Sequence, residues 1–95
     1  MNGCCYKYRF EDNVEMSAVE EDLLVAVIAA EAIHGRAVVN LDADFDLDEK
    51  NRVGHIDASS GVGRDIARIF VGLLAHDVGE EAFSIMRAGP EVAVT

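Results

Sequence analysis

The amino-acid sequence predicts an α+β domain of the ferredoxin-like βαββαβ kind: a four-stranded antiparallel sheet with two helices on one face. Two observations carry that expectation. Segments of period-2 alternation and segments of helical periodicity follow one another in the order β-α-β-β-α-β. Residues that start or stop helices bound each helical segment. The chain has 95 residues, room for one small domain with a modest core. The expected domain is 1–95, with 1–5 and 89–95 as flexible tails.

Tyr6-Lys7-Tyr8-Arg9-Phe10-Glu11 alternates aromatic with charged side chains, the pattern of a strand with one buried face. Asp12 and Asn13 end it with turn formers. A helix follows. Ser17 with Glu20 has the capping-box spacing, and Glu20, Glu21 and Asp22 place negative charge near the positive end of the helix dipole. Gly35 suits the C-terminal cap. Between them the helix is apolar around most of its circumference. Leu23, Val27 and Ala30 lie on one side, while Leu24, Ile28 and Ala32 turn toward another. Covering a sheet needs one stripe, so the second predicts a further contact, with the other helix or with another subunit.

From Arg36 to Leu47 the pattern returns to period 2. Val39, Leu41, Ala43, Phe45 and Leu47 share one face; Asp42, Asp44 and Asp46 share the other. A loop over Asp48-Glu49-Lys50-Asn51 leads to a return strand, Val53 to Ala58. That register sets Asp44 opposite His55 and Asp42 opposite Asp57, with Gly54 near Phe45; a two-residue slip changes partners but keeps faces. Ser59-Ser60-Gly61 caps a second helix over about Val62 to His76, with Ile66, Ile69, Phe70, Leu73 and Leu74 as its apolar stripe. Gly79 stops it. Ala82 to Ala88 forms the fourth strand, closed by Pro90.

Charge narrows the function classes. Eighteen acidic residues face eight basic ones, for a formal net charge of −10. Phosphate backbones and anionic membranes repel such a chain, so neither direct nucleic-acid binding nor membrane binding is expected. Basic proteins and divalent cations are the favoured partners. The longest apolar run, Leu23 to Ala30, is too short to span a bilayer, and the N-terminus lacks the apolar region of a secretory signal; a cytoplasmic location is expected. Cys4 and Cys5 are adjacent, which suits neither a disulfide between them nor a zinc site.

Three candidate sites emerge. The acidic ladder Asp42, Asp44, Asp46 shares the open sheet face with His55 and Asp57. It is not an EF-hand: from Asp42 the sixth and twelfth positions are Leu47 and Val53, where glycine and glutamate are required. Its donors suit manganese, iron or zinc, but Lys7 and Arg9 reach the same face as counter-ions. At a pitch of about 6.8 Å the carboxylates also imitate a nucleic-acid backbone. The second candidate, for anions, is Ser60, Gly61, Gly63 and Arg64 at the start of the second helix, against the plainer reading as an N-cap. The third is Arg64 with Arg68, one helical turn apart, for an acidic partner.

The expected function is an acidic, non-enzymatic protein-interaction module without a cofactor, homodimeric, with a basic protein as partner. An inhibitor or nucleic-acid-mimicking decoy is its specific form. The alternative is a small enzyme dependent on a divalent metal or an anion and using the open sheet face.

Overall fold

The computed structural model describes residues 5–88. The chain is α+β, with four antiparallel strands and three α-helices in that span. In order they are β1 (Cys5–Phe10), α1 (Met16–His34), α2 (Arg36–Asp42), β2 (Phe45–Asp48), β3 (Val53–Asp57), α3 (Gly61–Asp77) and β4 (Phe83–Ala88), with a short 3₁₀ turn, Glu80–Ala82, before β4. The strands lie in the order β2-β3-β1-β4. Tails 1–4 and 89–95, with Cys4 and Pro90, fall outside the described residues, whereas Cys5, expected in a tail, opens β1.

Alternation in β1 does what the sequence implies. Tyr8 and Phe10 are buried on the inner face; Arg9 is exposed on the outer one. Ile56 of β3 joins them, and the three pack with Val19, Leu23, Ala26 and Ala30 of α1, Val39 of α2, and Val62, Ile66, Phe70 and Leu74 of α3 in one cluster. The helices therefore cover a single face of the sheet. Tyr8 and Phe70 meet edge to face at 5.1 Å between ring centroids, a favoured aromatic geometry.

The main departure from expectation is the segment Arg36–Asp42, read as strand and folded as helix. Residues four apart share a face in both periods, so Val39 and Ala43 fit either. Leu41 tells them apart. In a strand it would be buried with them; on α2 it turns away and is 84% exposed. Packing of Val39 among α1 and α3 outweighs the strand preference of Val38-Val39. Gly35, at φ +91°, ends α1 and lets α2 begin at once.

Strand β2 is thereby reduced to four residues, and the hairpin register is slipped by two. Asp46 stands opposite His55, and Phe45 opposite Ile56. Gly54 faces Leu47, where an added Cβ would lie 3.3 Å from Leu47 Cδ1. Loop residues are 49–52, with Arg52 at φ +61°. Asp48 closes the loop: Asn51 donates to it from the backbone (3.1 Å) and the side chain (2.7 Å). Those bonds hold the Asp48 carboxyl below its ordinary pKa. The Arg52 guanidinium donates to the carbonyls of Glu11 and Val14, tying the hairpin to the β1–α1 connection.

Helix α1 starts earlier than its capping box predicts. Its N-cap is Glu15, with no side-chain cap bond, and Ser17 Oγ donates instead to Glu15 Oε1 (3.4 Å). The two extra residues let Met16 pack against the core. Asp22 thus lies in the second turn rather than the first, and it shares the buried side with Val19, Leu23 and Ala26 at 6% exposed. Helix α3 follows its cap signal. Ser60 is the N-cap, and its Oγ accepts from the Gly63 N–H at 3.0 Å. At the other end Val78 and then Gly79, at φ +93°, stop it.

Candidate functional site

The predicted acidic face is divided by the fold. Asp42 ends α2, and Asp44 lies in the link to β2. Only Asp46 and Asp48 remain on the strand, so the evenly pitched row of carboxylates is not formed. Backbone groups of the displaced residues close the end of the sheet instead. Asp44 O accepts from the Asp57 N–H (2.9 Å), and Asp42 O accepts from the Ser60 hydroxyl (3.3 Å). The Asp57 carboxylate accepts from the Ser59 N–H (2.9 Å), as turn-forming aspartates do.

Cross-strand register arranges what is left into two rows on the open face. One runs Asp46, His55, Lys7, Met86; the other runs Asp48, Val53, Arg9, Ser84. Asp46 Oδ1 meets His55 Nδ1 at 3.1 Å, the one direct acid–imidazole pair of the expected set. The face is acidic at the β2 edge and basic along β1. Lys7 and Arg9 share that face, but their cross-strand neighbours are His55 with Met86 and Val53 with Ser84 rather than acids. Among the described residues no group of three or more His, Cys, Asp or Glu side chains is placed to hold a metal ion. His55 is taken up by Asp46 and Asp57 by Ser59, so the metal reading of this face has no converging donor set behind it.

The anion candidate at the start of α3 is a structural joint. Ser60 spends its hydroxyl on the cap, and Gly63 is buried against the end of β3. Arg64 Nη1 donates to Ala58 O at 3.4 Å. His34, in the last turn of α1, bonds Asp65 of α3 at 2.7 Å.

Compared with protein-family models, with curated proteins and with solved structures, the chain has no match. Its function therefore rests on its own surfaces. No helix among the described residues is long and apolar enough to cross a membrane.

Two features stand out by their physics. The first is the outward side of α1. Leu24 (54% exposed), Val25 (49%) and Ile28 (63%) lie on the face opposite Val19, Leu23, Ala26 and Ala30. With Ala32 they continue the second apolar stripe that the sequence showed, and neither the sheet nor α3 covers it. Ile33, Val38 and Leu41 add exposed apolar side chains at the end of α1 and on α2. The second feature is a cavity of about 340 Å³ between the inner face of β1 and β4 and the side of α3. Tyr6, Tyr8, Arg64, Ala67, Arg68 and Ile85 help to line it. Periodicity had marked Tyr8 as core and Arg64 with Arg68 as a pair, but the strand register that joins them at one opening is a tertiary fact.

Proposed function

We propose that the chain is a non-enzymatic, self-associating interaction module whose homodimer forms through the outer stripe of α1. The observation that carries this reading is the exposure of Leu24, Val25 and Ile28 side by side on a helix already packed on its other side. Those three alone expose roughly 300 Å² of mainly apolar surface, the size of the largest patch on a typical monomer, and such patches are often functional. The occupant is a second copy, because charge complementarity fits one in antiparallel order. With the twofold axis at Ile28, Leu24 of one copy meets Ala32 of the other, and Glu20 and Glu21 approach Arg36. Arg36 is highly exposed and only loosely held by Glu31 at 3.9 Å. Antiparallel packing also opposes the two helix dipoles.

The acidic β2 edge would remain open in such a dimer and available to a basic partner. Its plainer role is to discourage strand-to-strand aggregation at an edge. The decoy form of the reading depended on Asp42 and Asp44 standing in one row with Asp46. Unchanged binding of a basic nucleic-acid-binding protein by Asp42→Asn with Asp44→Asn would end that version. We read the architecture as a variant of the ferredoxin-like arrangement, with the strand order taken from its other edge as β4-β1-β3-β2 and α2 as an extra helix between α1 and β2.

Sedimentation equilibrium tests the dimer. About twice the chain mass is expected at micromolar concentration, and Ile28→Glu should return it to monomer. Ile28 is exposed in the single chain, so the variant should keep its circular dichroism and its cooperative melt. A wild-type chain that stays monomeric across dilution overturns the proposal.

A further inference from the structure

We infer that the cavity between β1, β4 and α3 binds a small organic anion with an apolar body, of the monocarboxylate class. This goes beyond the self-association reading and uses none of the α1 stripe.

Three observations converge on it. The first is an unpartnered polar group. Tyr8 is 1% exposed and lines the cavity, and its hydroxyl is buried with no hydrogen-bond partner. Buried polar groups are paired in the great majority of cases, so an unpaired one at a cavity wall points to a ligand that supplies the acceptor. Burial pushes the Tyr8 phenol pKa well up, which keeps it a proton donor at all ordinary pH. The second is charge. In a chain with eight basic residues against eighteen acidic ones, two arginines, Arg64 and Arg68, line this one cavity. They are one turn apart on α3, so their guanidinium groups reach the same side. Asp65, between them in sequence, bonds His34 through Oδ2 at 2.7 Å and meets Arg68 through Oδ1 only at 4.0 Å. The third is the wall itself. Ala67, Val71 and Ile85 are apolar, and the volume of about 340 Å³ falls at the small end of ligand pockets.

The class of ligand follows from balance. Arginine recognises carboxylate through paired N–H donors. A bare inorganic anion would leave the apolar wall unused, and an uncharged apolar molecule would leave the Tyr8 hydroxyl unpaired and the arginines with only the long contacts to Ala58 O (3.4 Å) and Asp65 (4.0 Å). Overall charge of −10 disfavours a multiply charged guest. A singly charged head with a short apolar chain satisfies all three.

Octanoate is the probe, titrated into the full chain and followed by NMR. The expected result is saturable shifts at Tyr6, Ala67, Val71 and Ile85. Arg64→Gln with Arg68→Gln should weaken binding about tenfold or more, since both side chains are exposed and the variant should fold normally. Tyr8→Phe should weaken it about fivefold without lowering the melting temperature, because the hydroxyl it removes has no partner in the free chain. Octanol and inorganic phosphate should each bind far more weakly. Shifts that do not saturate, octanol binding as tightly as octanoate, phosphate giving the same saturating shifts, or affinity unchanged in the arginine double variant would each overturn the inference. None of these readouts depends on dimer formation.

Discussion

Gly63→Ala should strongly destabilise the protein, with a loss of about 3 kcal/mol. A Cβ built on Gly63 would overlap the carbonyl oxygen of Asp57, stand 3.0 Å from its carbon, and lie 3.3 Å from Ala58 Cα. All three are backbone atoms, so no side chain can rotate away. Relief requires α3 to back off from the end of β3, and the same turn holds other contacts. The Gly63 N–H donates to Ser60 Oγ, that hydroxyl bonds Asp42 O, and Arg64 reaches Ala58 O. For a chain of this length a loss of that size lowers the melting temperature by roughly 15 °C. Gly72→Ala is the control. Gly72 lies inside α3 with nothing within 4 Å of its added Cβ, so alanine there should stabilise by up to about 1 kcal/mol through helix propensity. Thermal melts of the two variants decide the matter. Equal effects would mean that the close approach at Gly63 is not what fixes α3.

That contrast bears on how Ser60-Gly61-Val62-Gly63-Arg64 is read. From composition, small residues and an arginine at a helix start suggest an anion site as readily as an N-cap. The fold explains the serine by its bond to the Gly63 N–H and the second glycine by the Asp57 carbonyl. What remains for binding is Arg64, which reaches Ala58 O and also lines the cavity beside Tyr8.

The legible parts of the chain are those where one period alone explains the residues. Tyr6 to Phe10 fits only a strand, and Ile66, Phe70 and Leu74 fit only a helix. Surplus apolar surface on α1 was also readable, because Leu24, Ile28 and Ala32 cannot face the same way as Leu23, Val27 and Ala30. The stretch Arg36 to Ala43 was not, since buried Val39 and half-buried Ala43 satisfy both periods. One misread element moved Asp42 and Asp44 off the sheet and shifted His55 from Asp44 to Asp46. The cavity was illegible for a different reason: Tyr8 and Arg68 are 60 positions apart, and only the packing of α3 on the sheet joins them.

Asp22→Asn should stabilise the protein at neutral pH by about 2 kcal/mol. Asp22 sits on the core side of α1 beside Val19, Leu23 and Ala26, and its Oδ2 is buried without a partner. Burial pushes its carboxyl up to about 6; the neighbouring Asp77 carboxyl, through a hydrogen bond and through repulsion, and then Glu21 add to the rise. Asp77 is the last residue of α3, where the dipole already disfavours negative charge. A folded-state pKa raised above the unfolded value of 3.8 means that the folded chain holds the proton more tightly. This group therefore costs nothing below about pH 4. Its cost grows as pH rises from there through about 6, and is fully present at pH 7. Asparagine removes the charge and offers an amide N–H to Asp77. Carboxylates remote from this pair bend the pH profile of both proteins alike, so the difference curve isolates the Asp22–Asp77 pair. Denaturant unfolding at intervals from pH 4 to pH 7 should show the variant's advantage widening with pH. An advantage that is flat across that window would mean that Asp22 does not titrate there, and that its place among apolar residues carries no electrostatic cost.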